Sequence, residues 1–157
     1  IIEVGSLAGY SAVWMARAVG KNGVVHAINK DKKHYELLQE TVTQSGENIV
    51  PHLGDAKDVL KTLEAQAPFD MIFIDADKGG YADYLTWAEK HVRKGGLIIG
   101  DNTLLFGHVI APEKPEGTSQ KAWGAMREFN KRLSDESRYD SILIPTLEGL
   151  TVARKLF

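Results

Sequence analysis

The stretch 71-MIFIDADKGGY-81 decides the fold. Met71 to Ile74 is an unbroken apolar run that stops abruptly at Asp75, Asp77 and Lys78. A run that is apolar at every position, not at alternate ones, reads as a strand buried on both faces, the habit of parallel sheets covered by helices. The carboxyl ends of such strands open into the crevice where α/β proteins bind ligands, so charges set immediately after the run are set at a site.

In both directions from this stretch, strand-type runs alternate with helix-period segments. Ile1 to Val4 leads through a glycine-bearing turn to a helix in which Ala12, Met15, Ala16 and Val19 recur at i, i+3, i+4 and i+7, ending near Gly20. Val24 to Ile28 reads as a second strand, and Tyr35, Leu38 and Val42 mark a helix closed by Gly46. Ile49 to Leu53 contains Pro51, which an edge strand tolerates. A short helix around Val59, Leu60 and Leu63 precedes Met71, and a helix through Tyr81, Leu85 and Ala88 follows the charged turn. Leu97 to Ile99 is a fifth strand; a last helix carries Ala122, Met126, Phe129 and Leu133, and strands at Ser141 to Ile144 and Leu150 to Ala153 complete the set. Thr103 to Thr118, with Pro112 and Pro115, reads as a surface loop or lid. The rhythm predicts an α/β fold, a Rossmann-like doubly wound, mostly parallel sheet with helices on both faces.

Composition narrows the possible partners. A chain of 157 residues with 43% hydrophobic content can bury one core, which makes residues 1–157 a single domain. A formal charge of −2 and a pI near 6.2 give no electrostatic reason for nucleic acid or an anionic membrane as partner. Without cysteine there are no disulfides, thiolate metal sites or cysteine nucleophiles, which suits a reducing, cytoplasmic compartment. No apolar run approaches the roughly 18 residues of a membrane span. Ile1 already lies inside a strand, so a further segment is expected upstream.

Three strand ends present polar groups to one rim: Glu3 through Ser11, Asp75 through Lys78, and Asp101-Asn102. A carboxylate beside a helix start that offers backbone N–H groups suits a zwitterionic amino-acid group. The plainer alternative is that Gly5 and Gly9 merely make a tight turn.

In order, Glu3-x-Gly5-x-x-x-Gly9-Tyr10-Ser11, Gly54-Asp55-Ala56, Phe69-Asp70-x-Ile72-Phe73-Ile74-Asp75-Ala76-Asp77-Lys78, Gly95-Gly96-Leu97-Ile98, Asp101-Asn102 and Gly149-Leu150-Thr151 run over nearly the whole chain. This set resembles the class I S-adenosylmethionine-dependent methyltransferases, and within them the cation-dependent O-methyltransferases of the caffeoyl-CoA and catechol type. The resemblance implies a seven-stranded sheet whose last strand is antiparallel, and a helical segment ahead of the first strand. It implies that Glu3, Gly5, Ser6, Gly9, Tyr10 and Ser11 hold the methionine part of S-adenosylmethionine. Asp55 and Ala56 fall on the adenine side, although Asp55 also suits the cap of the following helix. At the ribose position the family carries Asp or Glu and this chain has Asn29, an amide that accepts one bond and donates another without the strengthening charge. Asp31, two residues on, reads as a helix N-cap, with partial substitution for the missing ribose carboxylate as the alternative.

The same resemblance makes Asp75, Asp101 and Asn102 the metal ligands, with Asp75 also beside the cofactor. All are oxygen donors, which select Mg²⁺, or Mn²⁺ or Ca²⁺, over zinc and leave positions open for two hydroxyls of a phenolic acceptor. Lys78, with Asp75, forms the catalytic pair, Lys78 as base; the alternative is a solvated lysine opposite Asp75 or Asp77. A homodimer is implied as well. Two other functions compete: a nicotinamide-dependent oxidoreductase, whose G-x-G-x-x-G fingerprint the turn Gly5-Ser6-Leu7-Ala8-Gly9 does not match, and a non-catalytic cofactor-binding or oligomerising domain. His26 reads as a packed histidine, and His34, His52, His91 and His108 show no ligand spacing. Trp14, Trp87 and Trp123 read as core or interface residues. Tyr81 and Tyr84 read as helix packing with substrate contact as the alternative, and Phe106 stands where the family walls the acceptor pocket.

Overall fold

A computed structural model describes residues Ile1 to Phe157, in which the alternating segments form seven strands and five α-helices. The strands are β1 (Ile2–Val4), β2 (Val25–Asn29), β3 (Ile49–Leu53), β4 (Phe69–Ile74), β5 (Val92–Asp101), β6 (Tyr139–Ile144) and β7 (Leu150–Lys155). The helices are α1 (Tyr10–Val19), α2 (Lys32–Ser45), α3 (Ala56–Leu63), α4 (Tyr81–His91) and α5 (Gln120–Leu133). The sheet order is β3-β2-β1-β4-β5-β7-β6. Pairing is parallel from β3 through β5, and β7 runs antiparallel to both β5 and β6. The expected doubly wound fold is therefore observed, antiparallel last strand included.

Side chains alternate across a strand, and that alternation divides the interior in two. β1 sends Ile2 and Val4 into a large core with Ile72, Ile74 and Ile98, closed by α3, α4 and α5. On the opposite face α1 and α2 pack Ala12, Ala16 and Leu38 on Val25, Ala27 and Ile49. Glu3 pairs with Ala27 in register and so points to this second face, beneath the start of α1. Burying a side chain such as Ile72 or Leu85 stabilises the fold by about 1.5–3 kcal/mol.

The two edges differ. β3 closes one side, with Pro51, which has no N–H to donate, as expected for an edge strand. β6 forms the other and leaves Ile142, Leu143 and Ile144 exposed. No helix is long and apolar enough to cross a membrane.

The structure departs from the sequence reading in two places. β5 is much longer than Leu97 to Ile99, because Val92 already pairs with Phe69 before the register shifts to Met71 and Leu97. Arg93, Lys94, Gly95 and Gly96 interrupt the apolar run and hide that first half. The segment after β5 is not a free surface loop at its root, since Thr103 and Leu105 are buried. Thr103 Oγ1 lies 2.8 Å from Thr151 Oγ1, its N–H donates to the Gly149 carbonyl, and Trp123 Nε1 donates to the His108 carbonyl at 2.9 Å.

Candidate active site

The carboxyl ends of β1 and β4 meet backbone to backbone. Asp75 N–H donates to the Val4 carbonyl at 2.9 Å, and a Cβ on Gly5 would stand 2.0 Å from the Asp75 carbonyl oxygen. Only glycine fits there, the more so because φ at Gly5 is +92°. The turn continues through Leu7, a non-glycine residue at φ 44°, whose carbonyl accepts from Asn29 Nδ2 at 2.8 Å. Gly9, at φ +89°, opens α1 where a Cβ would lie 2.7 Å from Leu38 Cδ1, so it lets α1 close on α2.

Under this turn lies a buried carboxyl. Glu3 is fully buried, Ser11 Oγ donates to its Oε1, and its Oε2 has no partner. Ser6 lies beside the same carboxyl, but its buried hydroxyl makes no bond of acceptable geometry. Burial raises the Glu3 pKa above the usual carboxylate range, and the two serines oppose that. A desolvated acid with one unbonded oxygen and an unbonded hydroxyl next to it is a receptor for a cationic donor group. The amino group of an amino acid fits this requirement.

A cleft of about 300 Å³ opens from here along the strand ends, lined by Gly5, Leu7, Asn29, Asp55, Ala56 and Asp75 among others. Asn29 is buried and spends one amide N–H on the Leu7 carbonyl, which fixes the side chain and leaves its carbonyl oxygen and second N–H unused. Asp55 caps α3 by accepting from Lys57 N–H at 3.1 Å and pairs with Lys30 at 3.4 Å. A larger groove of about 860 Å³ lies between α5 and β6 and reaches Leu104 and Thr151 beside the end of β5.

Beside the cleft, β4 and β5 end in the candidate metal ligands. Lys78 Nζ stands 3.2 Å from Asp75 Oδ1, 2.8 Å from Tyr81 Oη and 3.4 Å from the Asp101 carbonyl. Asp101 Oδ1 accepts the N–H of Asn102, which takes a left-handed φ of 55° that asparagine tolerates. Burial lowers the Lys78 pKa, while the charges of Asp75, Asp101 and Asp77 oppose the shift. The Lys78 amino group thus rests between the two strand ends. With Asp75, Asp101 and Asn102 all presenting oxygen, the residues fit a hard divalent cation.

Of the predicted residues, Gly5, Asn29, Asp55, Ala56 and Asp75 line the cleft, and Glu3, Ser6 and Ser11 lie under or at the turn beside it. Lys78 links Asp75 to the end of β5, where Asp101 and Asn102 follow each other. Tyr10 does not join them: the ring is 80% exposed and packs edge-on against Trp14. Trp14, also exposed, is no core residue. Sequence reasoning missed His34 and Leu7, which line the cleft, and favoured helix packing over site contact for Tyr81 and Tyr84, although Tyr84 lines the cleft and the Tyr81 hydroxyl meets Lys78. The available signal was spacing, since Tyr81 follows Lys78 by three residues across the turn that starts a helix.

The O-methyltransferase family model matches residues 1–156. The chain belongs to this family. A catechol O-methyltransferase of Niastella koreensis is 38% identical over 148 residues, which cover 92% of this chain and 65% of that relative, so the chain spans about two thirds of its relative's length. Among solved structures, the O-methyltransferase TomG of Streptomyces achromogenes in complex with SAM has a TM-score of 0.87 at 32% identity, covering 99% of this chain and 72% of TomG. An O-methyltransferase of Bacillus cereus in complex with SAH has a TM-score of 0.86 at 30% identity, covering 98% of this chain and 73% of the other.

Proposed function

We propose that this O-methyltransferase domain moves the methyl group of S-adenosylmethionine to one hydroxyl of a catechol-like or hydroxycinnamoyl-type vicinal diol, with a divalent cation, Mg²⁺ by preference, at Asp75, Asp101 and Asn102. The observation that carries this reading is the Lys78 amino group held between Asp75 Oδ1 and the Asp101 carbonyl, where Asp75 lines the cleft that also borders the Gly5 turn over the buried Glu3, whose Oε2 is unbonded. SAM- and SAH-bound relatives of the same fold support the choice of cofactor.

Each group has a separate task. Glu3, with Ser6 and Ser11, binds the amino group of the methionine moiety, and the Gly5 turn lets that moiety approach the backbone. Asn29 accepts from a ribose hydroxyl; Asp55 and Ala56 flank the adenine. When bound, the cofactor supplies an electrophilic sulfonium methyl, and the cation supplies charge that brings a phenolic hydroxyl from about pKa 10 towards 7, roughly 4 kcal/mol. Lys78, whose pKa is lowered by burial, accepts the hydroxyl proton as neutral amine. The S–CH₃ bond breaks as the O–CH₃ bond forms, and holding the two atoms near attack distance removes much of the entropic barrier. The exposed edge of β6 supports a homodimer, and the absence of cysteine supports a cytoplasmic setting.

A methyl-transfer assay on a panel of catechols and hydroxycinnamoyl thioesters, with Mg²⁺ or with EDTA, tests the reading. Transfer to a vicinal diol that EDTA abolishes is the expected result; transfer insensitive to EDTA removes the cation, and no transfer with SAH still bound leaves a cofactor-binding domain.

A further inference from the structure

We propose that Tyr81 is the positioning residue of this site, its hydroxyl fixing where the Lys78 amino group stands between the ends of β4 and β5; the catalytic part rests on Lys78 being the base. Tyr81 is fully buried, and its Oη sits 2.8 Å from Lys78 Nζ, 2.9 Å from the Ile74 carbonyl and 2.7 Å from the Asp101 carbonyl. Those two carbonyls belong to the last residues before Asp75 and Asn102. A phenol has one hydrogen to donate and lone pairs to accept with, so the hydroxyl gives its hydrogen to one strand end or the other while it accepts from Lys78. One oxygen atom therefore refers three groups of the site to a common point.

The ring cannot drift from that point. It packs edge-on against Phe129 of α5 at 5.3 Å between centroids, and Lys78 Nζ stands 4.8 Å above it. Lysine, by contrast, is a flexible four-carbon stem that needs acceptors to define its place. Of the three acceptors that Lys78 reaches, Tyr81 Oη is the nearest and the only one not on a residue that carries a candidate metal ligand. Asp75 would turn its charge to a bound cation, which leaves Tyr81 as the acceptor that persists. The turn Lys78-Gly79-Gly80 puts residues 78 and 81 on the same side, one helical turn apart.

Tyr81→Phe keeps the ring and removes only the hydroxyl. On a catechol acceptor with SAM and Mg²⁺ we expect kcat to fall about 10- to 100-fold, with KM, SAH affinity and Mn²⁺ affinity each changed less than threefold. In a Lys78→Met background the same substitution should lower kcat less than twofold, because the residue it positions is gone. A crystal structure of Tyr81→Phe should show Lys78 Nζ displaced from its place between Asp75 and Asp101. Equal losses in both backgrounds, or Lys78 undisturbed in the variant, would overturn the proposal. Displacement of Lys78 with turnover intact upholds Tyr81's hold on it and removes Lys78 as the base, so the two failures are distinct.

Discussion

Tyr84 donates its phenolic hydrogen to Asp77 Oδ1 at 2.7 Å, and so ties the second carboxylate of the charged turn to α4 while the first, Asp75, faces Lys78. Gly80 makes this possible, because a Cβ there would lie 2.6 Å from the Tyr84 ring. Two acids only two residues apart thus have different partners. Asp75→Ala should abolish cation-dependent transfer and weaken Mn²⁺ binding more than tenfold. Asp77→Ala should retain measurable activity and bind Mn²⁺ within about threefold of wild type. Isothermal titration of both variants checks this, and equal losses would contradict the division.

Glu3→Gln separates stability from binding. It removes a buried charge whose Oε2 has no partner, so the ligand-free melting temperature should hold or rise. Losing a charge-assisted bond of about 1.5–3 kcal/mol should weaken SAH binding some 10- to 100-fold. Calorimetry beside a thermal melt decides it; weaker binding together with a clear drop in melting temperature would mean that the carboxyl is structural.

Gly5 and Gly46 make a controlled pair. Both have positive φ, +92° and +67°, but a Cβ at Gly46 meets nothing within 4 Å, whereas at Gly5 it meets the Asp75 backbone. Gly46→Ala should cost about 1–2 kcal/mol for the left-handed conformation alone. Gly5→Ala should cost at least about 3 kcal/mol, since overpacking adds to that strain, and should also abolish SAH binding. Urea unfolding of the two variants gives the comparison, and similar costs would show that the two strand ends can part.

The pH dependence of stability should carry the mark of His26. Its Nδ1 lies 3.0 Å from His52 Nε2 in a stacked pair, its Nε2 has no partner, and Phe69 packs edge-on against the ring. Burial, then the neighbouring His52, lowers its pKa to about 4. In the unfolded chain it takes up a proton near its ordinary 6.5, so between these values the unfolded state binds more protons. The stability is whole above pH 6.5 and is lost as pH falls from there towards 4, on the order of 1–3 kcal/mol. For a chain of this size each kcal/mol moves the melting temperature by about 2–4 °C. Melts of wild type and His26→Gln at pH 7.5 and 4.5 should therefore show a smaller drop in the variant.

What the sequence disclosed, and what it concealed, follows from how far apart the cooperating residues lie. The run Met71 to Ile74 was legible because two-sided burial leaves no polar residue inside it, and the acids behind it were legible because they break that pattern at a strand end. Glu3 stood out in the same way, as a charge inside an apolar strand. The first half of β5 was concealed by Arg93 and Lys94, exposed residues at the register shift, of which Arg93 pairs with Asp70 of β4 through its side chain. The pair of His26 and His52 was concealed too, since no local spacing joins them; the parallel register that sets Ile28 against His52 brings them together. A tyrosine at helical spacing is equally suited to packing and to chemistry, and for Tyr81 and Tyr84 only the direction of the hydroxyl settles which.

Phe106, 75% exposed at a backbone φ of 56°, owes its place to a residue 42 positions later, for its N–H donates to Glu148 Oε2 at 3.0 Å, while Leu104 N–H donates to the Glu148 carbonyl at 2.9 Å. One glutamate in the β6–β7 hairpin thus holds the segment on both sides of Leu105. A mutational library confined to the aromatic loop would explore side chains on a fixed backbone, whereas one that includes Glu148 would also move the backbone. Epistasis between positions 106 and 148 is the evolutionary form of the same strap: exchanges at either site are read through the other, and a lineage drifting at 148 changes what 106 can become.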